Sequence, residues 1–263
     1  MDRKMKKILS VLTVILLAIS LFNLKGIVAA ETTELKNAVN LLKARNDRQA
    51  GVIFEKILQQ EPQNLQALWG KAELLRRQRK FKESEALLNQ IFKIDPDNAS
   101  ALITLAYIRY MEENYKDALR AVNRVLELKD LERENRALAY MMMGTINSGR
   151  SSKGWLLAKV GYGAKIQSYF LKAKEIAPEL PEVHLGLGIF YLKAPSLMGG
   201  NINKSIEELE TAVKMTPDFA TANARLAQAY KKNGDLDKYR LYLQKAIQLD
   251  PGNEVLQELK KEK

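Results

Sequence analysis

The chain has no cysteine, so disulfides, thiolate metal sites, cysteine nucleophiles and lipid attachment at an N-terminal cysteine are all excluded. It has a single histidine, His184, which excludes multi-histidine metal sites and leaves one imidazole for any catalytic triad. Aromatic residues make up 7% of the 263 positions, and there are only seven prolines. Long apolar runs are missing too, apart from one near the start. What remains is 46% hydrophobic and 28% charged, a composition that folds.

The one apolar run lies in residues 1–30. A basic stretch, Met1–Lys7, precedes fifteen apolar and small residues, Ile8–Phe22, and the segment ends on Ala29 and Ala30. That order predicts a signal peptide cleaved after Ala30, and hence a periplasmic or secreted soluble protein. The alternative is an uncleaved N-terminal membrane anchor, although the run is shorter than the roughly 20 residues of a stable span. The full chain carries a net charge of +11; residues 1–30 hold five of its 42 basic and one of its 31 acidic residues, so removal leaves +7. The charges are interspersed, which permits peripheral association with an anionic membrane surface or an acidic partner. No basic-aromatic motif points to nucleic acid.

The few prolines are not scattered. "ILQQEPQN", "IFKIDPDN", "AKEIAPEL", "AVKMTPDF" and "AIQLDPGN" place Pro62, Pro96, Pro178, Pro217 and Pro251 in one repeated phrase. Pro62 to Pro96 is 34 residues, and so is Pro217 to Pro251. Residues 220–253 carry Leu226, Ala227 and Tyr230 on a first predicted helix, then Leu243, Ala246 and Pro251 on a second, with Tyr239 at a site that wants a small residue. Residues 99–132 carry Leu105, Ala106, Tyr115, Ala118 and Val122, with Asp130 in place of the proline. Small residues let two antiparallel helices approach, bulky ones fill the gap, and proline ends the second helix.

This period and content resemble the tetratricopeptide repeat (TPR) family. The resemblance implies an all-α, right-handed superhelical solenoid of about six helix hairpins plus a C-terminal capping helix. The hairpins fall at about 31–64, 65–98, 99–132, 137–180, 181–219 and 220–253, with cap and tail at 254–263. Two repeats are long. Ala137 to Pro178 holds about ten extra residues, read as a longer loop at 149–162. Pro181 to Pro217 holds about five extra, at Ala194–Met198. In the second turn, "KAPSLMGGNINKS", Gly200 aligns with the turn glycine Gly234, and Asn201 or Asn203 is the expected cap of the following helix. It is no phosphate loop, because Met198 and Asn203 stand where glycines are required and no strand precedes it. "GLG" (186–188) and "GYG" (161–163) also lack the third glycine of a dinucleotide fingerprint, so no cofactor is expected.

His184 falls at a packing position and is read as structural. Glu112, Glu113, Glu207, Glu208 and Glu210 have the spacing of solvated faces, and Met141–Met143 suit core packing or an adaptable surface. The resemblance further implies a concave groove lined by one stripe of each first helix. Carried onto this sequence, the candidate partner-binding residues are Trp69, Arg76, Arg77, Tyr107, Tyr110, Met111, Met141, Leu185 and Ile189, with a polar end at Gln228, Lys231 and Lys232. That makes the middle of the groove aromatic and apolar, with two arginines at one side. The Lys, Asn and Arg set of chaperone-binding members is not present. Residues 184–213, "HLGLGIFYLKAPSLMGGNINKSIEELETAV", are similar to a hairpin in the T component that accompanies TRAP-type periplasmic transporters. The expectation is a non-catalytic exported scaffold that binds a protein or peptide. The alternative is a ligand-binding accessory of a periplasmic transport system.

Overall fold

The computed structural model describes the backbone of residues 33–153 and 156–261, and the side chains of these outside 152–164 and 261. The expected signal segment, 1–30, lies outside the described residues. The described chain is helical throughout. Its helices are α1 (33–43), α2 (Asp47–Gln60), α3 (Leu65–Arg77), α4 (Phe81–Ile94), α5 (Ala99–Met111), α6 (Tyr115–Glu127) and α7 (Arg133–Lys153). They continue as α8 (Leu156–Ile176), α9 (Pro181–Lys193), α10 (Ile202–Met215), α11 (Ala220–Asn233), α12 (Leu236–Leu249) and α13 (Glu254–Lys261). Consecutive pairs form hairpins, and each second helix packs on the first helix of the next hairpin. From α3 onward the first helices also touch one another in series, α3 to α5 and so on to α13. They form a continuous inner layer, and the second helices lie behind it.

The repeated Pro-x-Asn phrase does two jobs. Proline stops the second helix, and the asparagine caps the next one: Asn64 accepts from the Ala67 amide at 3.0 Å and Asn98 from Ala101 at 3.1 Å. Asn253 accepts from the Val255 amide in the same way. Within hairpins, a small residue on the first helix meets a bulky one on the second. A Cβ on Gly188 would lie 2.5 Å from Leu209 Cγ. The buried Ser84 and Ser205 hydroxyls donate to the Ala72 and Gly188 carbonyls at 2.7 and 2.8 Å, so no polar atom is stranded at these tight contacts.

The extra residues of the fourth hairpin do not form the loop expected at 149–162. Both helices are lengthened instead, to 21 residues each. Thr145, Asn147, Ser148 and Ser151 look like loop formers, yet each side chain donates to the carbonyl four residues back. The helix satisfies their polarity internally, and no proline stops it.

The extra residues of the fifth hairpin do form a turn. Pro195 ends α9, and Ser196–Met198 make one 3₁₀ turn. Gly199, not Gly200, takes the left-handed conformation, with φ +94°. Gly200 is needed for space, because a Cβ there would lie 1.9 Å from the Ala194 carbonyl oxygen. Asn201 is the cap, accepting from the Lys204 amide at 3.0 Å. The cap helix α13 buries Val255, Leu256 and Leu259 against α11 and α12.

Candidate inner-face site

The inner layer brings part of the expected stripe together. Trp69 is half-buried, and its indole N–H donates to Thr104 Oγ1 at 3.2 Å. The Arg76 guanidinium lies over the Tyr107 ring, 4.0 Å from its centroid. Tyr107, Tyr110 and Tyr115 follow as tilted neighbours, with centroids 6.3 and 6.0 Å apart. Met111 closes α5 beside them, half-buried. The other expected residues lie further along the layer. Met141 packs against the same core as Tyr107 and Tyr110 and reaches the cores around Ala173 and Phe170, Leu185 packs against the core around Leu209, and Ile189 is half-buried on α9.

Arg76 and Arg77 stand beside the aromatic residues, but not as free cations. They are parts of an ion network centred on Glu73, which falls on the same stripe of the second repeat. Arg76 Nε and Nη2 donate to the two Glu73 oxygens at 2.7 and 2.5 Å, and Arg77 Nε donates to Oε1 at 3.1 Å. Arg77 Nη1 also donates to Asp47 at 2.6 Å and to the Leu42 carbonyl at 3.0 Å. Burial alone would raise the Glu73 pKa, but Arg76, Arg77 and Arg45 outweigh it and hold it down to about 2. The sequence signal was present: an acid followed by arginines three and four residues on shares one helix face.

The two ends of the inner layer meet through side chains. Arg45, between α1 and α2, donates to Glu182 on α9 at 2.6 Å and lies over Phe219, 3.8 Å from the ring centroid. Lys43 donates to Glu134 on α7 at 2.6 Å, and Arg79, after α3, to Glu254 on α13 at 3.4 Å. Burial and the neighbouring Arg77 lower the Arg45 pKa to about 10. Burial, with Tyr107, Tyr115 and Glu254 nearby, pushes Tyr110 up to about 12, against Arg225. Among the described residues, α3 and α5 have no close backbone approach to α13. The Lys43, Arg45 and Arg79 pairs join an N-terminal arm, α1 to α4, to a far arm, α7 to α13. On the far arm, Arg225 forks onto both Glu258 oxygens at 2.6 and 3.0 Å, and Lys193 joins Glu258 at 3.0 Å. At the polar end, Lys232 donates to the Leu192 carbonyl at 2.8 Å.

His184 is buried, with Nδ1 2.6 Å from Glu208 and Nε2 2.8 Å from the Pro178 carbonyl. It ties α9 to α10 and to the end of α8. Glu208 does not lie on a solvated face, as its spacing suggested. It is buried between His184 and Lys174, and these two outweigh the burial that would otherwise raise its pKa, so that it is lowered.

Tetratricopeptide repeat models match residues 41–96, 75–139 and 191–254, together more than half of the chain. No curated protein matches the sequence significantly. Among solved structures, a tetratricopeptide repeat protein from Parabacteroides merdae ATCC 43184 is 15% identical over 88% of this chain and 83% of its own, with a TM-score of 0.56. PilW, described as a widely conserved type IV pilus biogenesis factor, is 16% identical over 88% and 98%, at 0.51. Human IFIT1, in a dimer with m7Gppp-AAAA, is 21% identical over 88% of this chain and 52% of its own, at 0.61. At these identities the likeness shows the fold alone.

Proposed function

The chain belongs to the tetratricopeptide repeat family, and from that premise we propose that it is a non-catalytic, periplasmic scaffold holding a protein segment against its inner helix face. Tetratricopeptide repeats bind protein or peptide partners. The observation that carries the reading here is the inner layer itself. It presents Trp69, Tyr107 and Tyr110 beside a charged network, and the long side chains of Arg45 and Arg79 reach across between its two arms. Aromatic and arginine groups on such a face supply contact area and directional bonds for an extended or helical segment.

The test is site-specific photocrosslinking in the native cell. A photoreactive residue at Tyr110 or Ile189 is expected to capture a discrete partner. One at Val52 or Leu241, which are 65% and 60% exposed on second helices, is expected to capture none. Adducts only from Val52 or Leu241 would move the binding face to the outer layer.

The proposed location rests on the order of basic, apolar and small residues in 1–30. Fractionation is expected to find a chain beginning at Glu31 in the periplasm. A cytoplasmic pool that keeps residues 1–30 would overturn that part of the proposal.

A further inference from the structure

The turn between the two helices of a hairpin uses one left-handed residue. In the sixth hairpin it is Gly234, at φ +86°, with open space around it. At the same place, counting by 34, the first three hairpins carry Arg45, Arg79 and Glu113, at φ +65°, +61° and +59°. A non-glycine residue held there costs on the order of 1 kcal/mol. Both arginines use the position to reach across the inner face, Arg45 to Glu182 and Arg79 to Glu254.

The pairs that cross the inner face sort by arm: each takes its cation from the N-terminal arm and its carboxylate from the far one. On the N-terminal arm Glu73 and Asp47 pair with Arg76 and Arg77, and Lys43, Arg45 and Arg79 find their carboxylates across the face. Three positive charges thus depend on the far arm. Three carboxylates of the far arm, those of Glu134, Glu182 and Glu254, answer them. The match is incomplete, because the buried Nε of Arg45 has no acceptor.

We propose that the inner face takes an acidic polypeptide segment, whose carboxylates replace those of Glu134, Glu182 and Glu254 on the basic N-terminal arm. This rests on the inner face being the binding face. The far arm is then an internal competitor. It closes the site when empty, and a ligand gains most where its carboxylates reach both Arg45 and Arg79.

The experiment is fluorescence anisotropy of the purified protein with fluorescein-labelled deca-glutamate, and deca-lysine as the opposite probe. Deca-glutamate is expected to bind, more weakly as salt is raised, and deca-lysine is not. Glu182→Gln removes the competitor's charge, and is expected to tighten deca-glutamate roughly two- to fivefold. Arg45→Gly relieves the left-handed turn but removes the Glu182 pair and the Phe219 stack, so its thermal midpoint is expected to fall; measured where it is still folded, it should bind about tenfold more weakly or worse, whereas Arg45→Lys, which keeps the charge, should bind within a few-fold of the parent. A merely structural role for Arg45 would not separate those two folded variants. Unchanged affinity in Glu182→Gln, preference for deca-lysine, or full binding by Arg45→Gly would each overturn the proposal. Failure of both peptides, with crosslinks still forming at Tyr110, would sink the acidic class and leave the inner-face scaffold standing. Loss of those crosslinks would sink the scaffold reading itself.

Discussion

Replacing Glu73 with alanine is expected to remove about 3–5 kcal/mol of stability, the usual effect of breaking a buried ion pair from one side. Its side chain is 13% exposed, and both oxygens are occupied by Arg76 and Arg77. Without it, two guanidiniums 14% exposed keep their desolvation penalty and lose their shared counter-charge, leaving Asp47 to serve Arg77 alone. Arg45 adds a third positive charge to the same region. The variant should therefore unfold at much lower urea, and its inner face should loosen first.

The same residue sets a pH dependence. The native pKa, held down to about 2, lies below the unfolded value of about 4.3. A depressed carboxyl stabilises the fold fully above its unfolded pKa and loses that contribution as pH falls towards the native one. The gap in stability between the parent and Glu73→Gln should therefore be full at pH 6 and shrink between roughly pH 4.3 and 2. Urea titrations at pH 6 and 2.5 check both statements. An unchanged midpoint in the alanine variant would mean that the arginines rely on solvent, not on Glu73.

The fold was readable because its signals are local and repeated. A recurring proline phrase, spaced by 34 residues from Pro62 to Pro96 and from Pro217 to Pro251, and alternating small and bulky sites name a helix hairpin wherever they occur, and the all-α repeat architecture follows from stacking. His184 was readable for the same reason, since its position in the repeat asks for a packed side chain.

What escaped was non-local or ambiguous in composition. The Arg45–Glu182 and Arg79–Glu254 pairs join residues 137 and 175 apart, and no period links them. Glu208 has the same surface spacing as Glu207; only the partners that α8 and α9 bring to it make it a buried residue. The serine, threonine and asparagine run at 145–151 fits a loop or a helix equally until the i−4 bonds are seen. Arg45 and Arg79 carried a legible oddity all along: arginine where Gly234 marks a left-handed turn.

The second large effect is expected at the first interface of the stack. Phe54, on α2, is fully buried among Ala38, Leu42, Ala50, Ile57, Ala67 and Leu74. Its ring abuts Gly70 of α3 end-on: a Cβ built there would lie 2.2 Å from Cζ and 2.4 and 2.5 Å from the two Cε atoms. Phe54→Ala should cost about 3–5 kcal/mol, because the missing ring leaves a cavity between two hairpins that cannot collapse onto a glycine. Gly70→Ala should also destabilise, by about 1–3 kcal/mol of overpacking against a ring with nowhere to go, less about 1 kcal/mol for alanine's better helix propensity. Combined, the two should not add. With the ring gone, the new methyl enters the space that the ring vacated, and the propensity gain is kept. Gly70→Ala is thus expected to stabilise the Phe54→Ala protein while destabilising the parent. Urea unfolding of the four proteins in the cycle reads that reversal of sign directly. Additive losses would mean that α2 and α3 separate enough for Phe54 and Gly70 to act independently, against the contact that closes the first hairpin onto the second.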